Sequence, residues 1–337
     1  MNNKQYFFSD SQPPDQLMDF LLGPIRWQMI SVSLELSLFD DLTEPTTSKI
    51  IAKRFSMKEK QTELLLNGLC SLGILKKENA FFQLEKRVAP YLVSHSRYSM
   101  RDMLLHLSNV KHTDNDKVKE ILKTGRSDHI AANFRNETFW KNSQSCLYSF
   151  HNSINNDTVM DILRNLPEWD GLTSLLDLGA GSESLCQAIH KEKSTVQTTL
   201  FDLPSCTNTI KKRLTDTSSI RVLSGDFNID DIGKDYDIIW ASMSLYYAKD
   251  LNNVLMKIKQ SLNKGGIFLS FHEALREERT LPESHITGRF LPSISGSDLS
   301  FDDGVIANQL KTAGFARITS RHVSMPIGDM RLDIAYC

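Results

Sequence analysis

The stretch SLLDLGAGSESLCQAIH, residues 174–190, decides the fold of the second half of the chain. Apolar residues lead to Asp177, then come Gly179 and Gly181, and an amphipathic run follows. Glycines in such a turn let the backbone approach a ligand closely, and the next helix presents its N-terminal amides to that ligand. The stretch therefore predicts a strand, a ligand-binding loop and a helix, in that order.

From residue 174 onward, short apolar segments alternate with helical stretches, which is typical of a doubly wound parallel sheet. The last segments form two extended runs around PIGD, residues 326–329. We therefore predict an α/β fold: a Rossmann-like, doubly wound, mostly parallel sheet that ends in a C-terminal antiparallel hairpin. The predicted strands are residues 174–178, 197–202, 220–224, 236–241 and 266–271.

The N-terminal third has a helical pattern. The segment QLMDFLLGPIRWQMISVSLELSLFDDL, residues 16–42, carries a broad apolar stripe from Leu17 to Phe39. A short helix with a threonine start signal, a longer helix that closes near Gly73 and a hairpin follow. We predict an all-α, winged-helix-like domain that ends in this hairpin. The charges of its would-be recognition helix nearly cancel, which favours packing or dimerisation over DNA binding.

Composition excludes several classes of protein. The 337 residues suit two domains, and 39 Lys and Arg against 41 Asp and Glu leave a net charge of −2. Nucleic acids and anionic membranes select a strong basic excess, so neither is an expected partner. The five cysteines are scattered, which predicts neither a metal site nor a disulfide framework and fits a reducing cytoplasm. No run approaches the roughly 20 apolar residues of a membrane span.

Acidic residues end the next two predicted strands. Asp202 in LFDLP lies 25 residues after Asp177, at a spacing that suits the hydroxyls of a ribose. Asp226 in SGDF ends the third strand, where its carboxylate can accept from an adenine amine and Phe227 can stack on the ring. Because ligands of open parallel sheets bind outside the carboxyl ends of the strands, these residues together predict an adenosine site.

Motifs over nearly the whole chain resemble class I S-adenosylmethionine-dependent O-methyltransferases of the plant caffeic-acid and bacterial small-molecule type. LELSLFDDLTEPTTSKIIAKRFSMKEKQTELLLNGLCSLGILKK is similar to their N-terminal dimerisation domain, and LLDLGAGS, FDLP, SGDF, NKGGIFLSFHEAL and LKTAGF to their catalytic domain. The resemblance implies S-adenosylmethionine as cofactor, a homodimer and a small-molecule acceptor of secondary metabolism. It divides the chain into a dimerisation domain (1–94), a helical linker and acceptor-pocket region (95–170) and a catalytic domain (171–337).

The resemblance also implies site residues. The implied cofactor-binding residues are Asp177, Gly179, Gly181, Glu183, Asp202, Leu203, Asp226, Phe227 and Ser242. Tyr246 stands where the family has its histidine base in a Leu-His-Asp-aromatic pattern, Glu273 matches the acidic residue that orients that base, and Asp298 matches a second carboxylate. His272 is a candidate substitute base, against a role as a strand-end histidine satisfied by a backbone carbonyl.

Two of these positions depart from the family. Glu183 replaces the third loop glycine, and its carboxylate would repel the cofactor's carboxylate if it points inward, but costs little if it points outward. An unperturbed tyrosine, with a pKa near ~10, is a poor base at neutral pH but a competent hydrogen-bond donor, so Tyr246 is an unusual residue there.

Three functions follow from these departures. The first is methyl transfer to a small acceptor that needs little help from a base, such as a carbon nucleophile, an amine or an acidic hydroxyl. The second is a non-methylating reaction on the same fold, of the cyclase or isomerase type. The third is a non-catalytic dimer that binds a ligand or partner.

Overall fold

The computed structural model describes residues 13–110, 113–125, 137–214, 219–296 and 298–337. The chain forms two compact units, Met1–Leu105 and His106–Cys337, and each has a hydrophobic core of its own. Within the described ranges, no helix combines the length and the apolar character needed to cross a membrane.

The first unit is mainly helical. Its elements are α1 (Pro13–Glu35), a 3-10 turn (Leu38–Leu42), β1 (Thr46–Thr47), α2 (Ser48–Arg54), α3 (Glu59–Ser71), β2 (Leu75–Glu78), β3 (Phe81–Leu84), α4 (Ala89–Leu92) and the start of α5 (Arg101–Val110). The side chain of Thr47 accepts a hydrogen bond from the Ile50 amide at the start of α2, as the sequence predicts. The hairpin of β2 and β3 gains β1 as a third strand, so the prediction of an all-α unit is too narrow.

The apolar stripe of α1 divides into two parts. Leu34 near the end of the helix, and Phe39 in the turn after it, are fully buried in the core of the unit. The first half of the helix instead exposes its apolar side chains, with 53 to 65% of the surface open at Leu17, Phe20, Leu21 and Ile25. A large part of the predicted stripe is therefore not used by the core of its own unit.

The second unit is an α/β fold. Its helices after α5 are α6 (Asn115–Thr124), α7 (Glu137–Asn142), α8 (Gln144–Phe150), α9 (Asn156–Arg164), α10 (Ser184–Glu192), α11 (Pro204–Arg213), α12 (Leu251–Ser261), α13 (Glu283–Ile294) and α14 (Val305–Thr312). Its strands are β4 (Ser174–Leu178), β5 (Gln197–Asp202), β6 (Ile220–Ser224), β7 (Tyr236–Ser242), β8 (Leu262–Leu275), β9 (Phe301–Asp302), β10 (Arg317–Val323) and β11 (Met330–Tyr336).

The strands form one sheet in the order β10-β11-β8-β7-β4-β5-β6, and β9 pairs with the end of β8. Strands β4 to β8 are parallel, and β11 is antiparallel to both β8 and β10. This confirms the predicted mostly parallel sheet with an antiparallel C-terminal hairpin. The observed β4, β5 and β6 coincide with the prediction, whereas β8 is longer at both ends.

Both faces of the sheet are covered, which is why its strands are nearly continuous apolar runs. In β7, Ile238 and Trp240 pack into one hydrophobic layer. The intervening residues Ile239 and Ala241 pack into the layer on the opposite face. The central strands are therefore rigid, and they hold the loops at their carboxyl ends in fixed positions.

Candidate functional site

The candidate site lies where the order of the strands reverses. Strand β4 lies between β5 and β7, so the chain builds the sheet outward on one side and then returns to build the other side. In open α/β sheets, ligands bind outside the carboxyl ends of the strands at such a reversal. The glycine loop, Asp202 and the turn after β7 all lie at this edge, as the sequence predicts.

The glycine loop requires glycine. Gly179 and Gly181 have positive φ angles of 74° and 65°. A Cβ atom on Gly179 would lie 2.6 Å from the Cβ of Ser244, in the turn after β7. Ser244 Oγ in turn donates a hydrogen bond of 3.0 Å to the carbonyl of Leu178. The loop after β4 and the turn after β7 are therefore packed directly against each other.

Asp202 holds the loop from the neighbouring strand. Its Oδ2 accepts a hydrogen bond of 2.7 Å from the Gly181 amide, and its Oδ1 accepts one of 2.7 Å from the Leu203 amide. Burial raises the pKa of Asp202, although these two amides favour its ionised form. Burial and the charge of Asp202 raise the pKa of Asp177 to about 8, so Asp177 is largely protonated at neutral pH. The two amide hydrogen bonds thus fix Asp202 against the glycine loop at the carboxyl end of β5.

Glu183 follows neither alternative considered for it. Its side chain is only 1% exposed, so it does not point outward into solvent. Its Oε1 lies 3.0 Å from Nε of Arg213, the last residue of α11, so its charge is compensated inside the protein. A ligand's carboxylate would therefore face an ion pair with no net charge instead of a lone negative charge.

A π-helical segment covers the start of α10. Residues His151–Asn155 form a π-helix between α8 and α9, a feature that often accompanies functional sites. The Nδ1 atom of His151 lies 2.6 Å from Ser182 Oγ, and Ser184 Oγ donates to Asn152 Oδ1 at 2.8 Å. Burial lowers the pKa of His151 to about 4, so this ring is neutral at neutral pH.

The residues beyond β6 only partly match their expected role. Asp226 Oδ1 accepts hydrogen bonds of 2.9 and 2.7 Å from the amide and the side chain of Asn228, which fixes the turn. Phe227 is buried in the hydrophobic layer of the sheet, and its carbonyl accepts from Lys257. The prediction that its ring offers a stacking surface is therefore at odds with this packing. Ser242 is half-buried at the end of β7.

Tyr246 lies in a short 3-10 turn after β7 and belongs to a cluster of charged side chains. Its hydroxyl donates a hydrogen bond of 2.6 Å to Glu273 Oε2 and accepts one of 3.0 Å from Arg289 Nη2. Arg289 Nη2 also donates to Glu273 Oε1 at 2.6 Å. Although burial opposes it, the guanidinium holds the pKa of Glu273 below its usual value. Burial and the Glu273 carboxylate raise the pKa of Tyr246 well above its usual value.

His272 fixes the turn that carries Tyr246. Its Nε2 accepts hydrogen bonds from the amides of Ser244 at 3.1 Å and Leu245 at 3.0 Å. Its Nδ1 lies 2.9 Å from Ser270 Oγ, and burial lowers the pKa of the ring to about 3. The lone pair of Nε2 is already shared by two amides, so the ring has no proton-accepting position left. The prediction of His272 as a substitute base is therefore wrong, and its role is structural.

Asp298 is not brought into the Tyr246 cluster. Its side chain is 47% exposed, and its Oδ2 accepts a hydrogen bond of 2.6 Å from Arg279 Nη2. Arg279 also pairs with Asp302 at 2.6 Å, so these residues form an ion-pair network at the surface. The role of Asp298 as a second catalytic carboxylate therefore stays a prediction, and in this structure its charge is paired with Arg279.

Arg289 and Arg213 were both missed by sequence reasoning. Arg289 lies 43 residues after Tyr246 and 16 after Glu273, on α13, and no local motif marks it. Arg213 ends a run of basic residues at the end of α11, where cations commonly interact favourably with the helix dipole. The acidic residue in the glycine loop, where the family has a glycine, was the one signal in the sequence that a cation from elsewhere in the fold would be needed.

Comparisons with known proteins agree with this architecture. A family model described as an O-methyltransferase domain matches residues 110–287, which is more than half of the chain. The acetylserotonin O-methyltransferase of Bos taurus is 23% identical over 283 residues, covering 77% of this chain and 80% of that protein. The S-adenosyl-L-methionine-dependent methyl transferase PigF of a Serratia species is 24% identical over 284 residues, covering 78% of this chain and 79% of that protein.

The fold is shared even more widely than the sequence. A crystal structure of human N-acetylserotonin methyltransferase in complex with S-adenosylmethionine has a TM-score of 0.79 and 21% identity, and covers 98% of this chain and 99% of that one. Because the family model spans more than half of the chain, and the same architecture extends almost from end to end, the protein belongs to the class I S-adenosylmethionine-dependent O-methyltransferase family.

Proposed function

We propose that this protein transfers a methyl group from S-adenosylmethionine to a small-molecule acceptor that needs no protein base. The observation that carries the proposal is the hydrogen bond from the Tyr246 hydroxyl to Glu273. The residue in the position of the family's histidine base keeps its proton and donates it in a hydrogen bond to a carboxylate of the protein itself. It is therefore not available to take a proton from a substrate.

The residues at the strand reversal fit this cofactor. Each oxygen of Asp202 accepts one amide hydrogen bond, which leaves each with acceptor capacity for a ribose hydroxyl. Gly179 and Gly181 have positive φ angles, which glycine adopts without strain and which set the shape of the loop at this edge. We assign cofactor binding to this edge, with contributions from Asp177, Gly179, Gly181, Asp202, Leu203, Asp226 and Ser242. When bound, S-adenosylmethionine supplies an electrophilic methyl group.

The Tyr246 cluster orients the methyl acceptor, but it contains no group that takes a proton from that acceptor. Deprotonating Tyr246 would place two negative charges on hydrogen-bonded oxygens, which the buried Glu273 carboxylate opposes. Arg289 donates to the Tyr246 hydroxyl and to Glu273 Oε1, and it stabilises the ionised carboxylate. A base typically contributes about 10²–10⁴-fold to such a transfer, so weakly acidic phenols are poor acceptors here. Amines, carbon nucleophiles and hydroxyls that ionise near neutral pH remain good ones.

We also propose that the protein is a homodimer formed through α1 and its neighbours. The first half of α1 exposes large apolar side chains, including Phe20 and Leu21. Burial of each such side chain is worth about 1.5–3 kcal/mol, so a second copy of the same face is a favourable cover. Light scattering should give the mass of a dimer at micromolar concentration. A double variant Phe20→Glu and Leu21→Glu should shift that mass toward the monomer, and a stable monomer of the unchanged protein would contradict the proposal.

Two measurements test the proposed activity. Calorimetry with S-adenosylhomocysteine and S-adenosylmethionine tests the cofactor, and we expect binding of both. Transfer of a radiolabelled methyl group to a series of phenols, from nitrophenols to cresols, and to an arylamine tests the acceptor. We expect the rate to follow the acidity of the phenol.

Equal rates on the most and least acidic phenols would show that a base operates, and would refute the proposal. Failure to bind S-adenosylhomocysteine would refute methyl transfer itself and favour a non-methylating reaction on this fold.

A further inference from the structure

The carboxylate of Glu183 and the guanidinium of Arg213 form an ion pair beside the glycine loop. Glu183 directly precedes α10, two residues after Gly181, and Arg213 is the last residue of α11. Arg213 Nε lies 3.0 Å from Glu183 Oε1. The pair therefore joins the helix after β4 to the helix after β5 at the place where the family has a glycine.

Arg213 is held toward Glu183 by α8. Its guanidinium lies over the ring of Tyr148, 5.0 Å from the ring centre. Its Nη2 donates a hydrogen bond of 3.3 Å to Gln144 Oε1. The Arg213 side chain is 28% exposed, so it spans from the surface to the buried carboxylate. Two contacts on one helix thus fix the direction of the guanidinium.

Glu183 depends on this single cation. Its side chain is almost fully buried, and within the described part of the chain its Oε2 has no hydrogen-bond partner. Burial raises the pKa of Glu183, and the charge of Arg213 works against that rise. Without Arg213 the glycine loop would contain a buried, uncompensated carboxylate. Such a charge repels an anionic ligand group much more strongly in a protein than in water.

We propose that Arg213 is a positioning residue for cofactor binding: it neutralises Glu183, so that a loop with a carboxylate at the third glycine position still admits the carboxylate of the cofactor's amino-acid part. The inference rests on the proposed function, because it assumes that the glycine loop binds S-adenosylmethionine. Arg213 acts through Glu183 and not by contact with the ligand. The two residues are therefore coupled: the presence of Arg213 accounts for a carboxylate at this position of the loop.

A double-mutant cycle tests this coupling. Affinity for S-adenosylhomocysteine is measured by calorimetry at pH 8.0 for the unchanged protein and for R213Q, E183Q and the double variant E183Q/R213Q. K212Q is the matched control, because Lys212 is the neighbouring exposed cation on α11 and its loss changes the net charge equally. Thermal unfolding of each variant without ligand separates loss of binding from loss of fold.

We expect R213Q to bind at least tenfold more weakly than the unchanged protein, and K212Q to bind within threefold of it. E183Q/R213Q should bind within threefold of the unchanged protein, since it contains neither charge, and E183Q should bind at least as tightly as the unchanged protein, since its unpaired Arg213 does not repel a carboxylate. Affinity of R213Q equal to that of K212Q would overturn the proposal.

Tenfold weaker binding by E183Q/R213Q than by the unchanged protein would also overturn it, since Arg213 would then contribute to binding in a way that does not depend on Glu183. This comparison remains decisive if R213Q alone does not fold. Failure of the proposed function has a different signature, because the unchanged protein would then not bind S-adenosylhomocysteine at all.

Discussion

The two sides of the strand reversal are built in different ways. On the side of β4 and β5, backbone amides of Gly181 and Leu203 hold the carboxylate of Asp202. On the side of β7 and β8, side chains hold each other, with Tyr246, Glu273 and Arg289 joined by three hydrogen bonds. On the first side Gly179, Gly181 and Asp202 follow the pattern of the family and Glu183 departs from it, whereas on the second side Tyr246 departs from it.

The difference also separates two tasks. Binding a nucleoside requires shape and a few fixed acceptors, and the proposed cofactor side offers positive-φ glycines and the carboxyl oxygens of Asp202. Action on a methyl acceptor requires groups that donate or accept protons. On the β8 side, the hydrogen-bond donors and acceptors of these side chains are already bonded to one another. Glu183 lies in the glycine loop on the first side. It is nevertheless held by another side chain, that of Arg213, as the residues of the second side are.

The largest effect is expected on the β8 side. Glu273→Gln should lower the free energy of unfolding by about 3–5 kcal/mol, because it leaves the largely buried Arg289 guanidinium without its counter-charge. Denaturant unfolding measures this change. Glu277→Gln, an exposed carboxylate on the following turn, is the control. Equal losses in the two variants would show that the ion pair contributes nothing.

On the β4 side, replacement of Asp202 should affect ligand binding. Asp202→Ala removes charge-assisted hydrogen bonds worth about 1.5–3 kcal/mol, so affinity for S-adenosylhomocysteine should fall about tenfold to a hundredfold. Calorimetry measures this directly, with the exposed Asp170→Ala as the control. If Asp202→Ala binds as well as the control does, the two sides have been assigned the wrong tasks.

The β4 side should also carry a pH dependence. The folded-state pKa of Asp177 is raised to about 8, above its unfolded value, so the folded state binds the extra proton. Stability is therefore present at low pH and is lost as pH rises toward 8, by about 1.4 kcal/mol per pH unit between these two pKa values. Asp177→Asn should remove this slope, so its stability relative to the unchanged protein should rise between pH 6 and 7. Parallel pH profiles of the two proteins would contradict the raised pKa.

The smallest effect is expected for the hydroxyl of Tyr246. Tyr246→Phe should change kcat/KM for an acidic acceptor by less than about threefold, because base catalysis, worth about 10²–10⁴-fold, is not what this group provides. Methyl transfer to a nitrophenol measures it, and Tyr247→Phe gives the background for a neighbouring ring. A loss of a hundredfold or more would mean that Tyr246 transfers a proton after all.

The sequence by itself determined the architecture. Runs of apolar residues bounded by turn signals fixed the ranges of β4, β5 and β6, and the position of Gly179 directly after a strand fixed the loop. Asp202 was found in the same way, because the end of a parallel strand is a local feature of the sequence. These properties depend on neighbours along the chain, so one sequence suffices to predict them.

Only the tertiary structure decided the chemistry of the side chains. Nothing near Glu183 in the sequence indicates that Arg213, on another helix, neutralises it. The sequence could not tell whether His272 is a base or a structural residue, because the answer lies in two amides of a turn more than twenty-five residues away. Charge compensation and hydrogen bonding act over a few ångströms in space, whatever the separation along the chain. They are therefore set by packing, and they become visible only once the helices and strands are assembled.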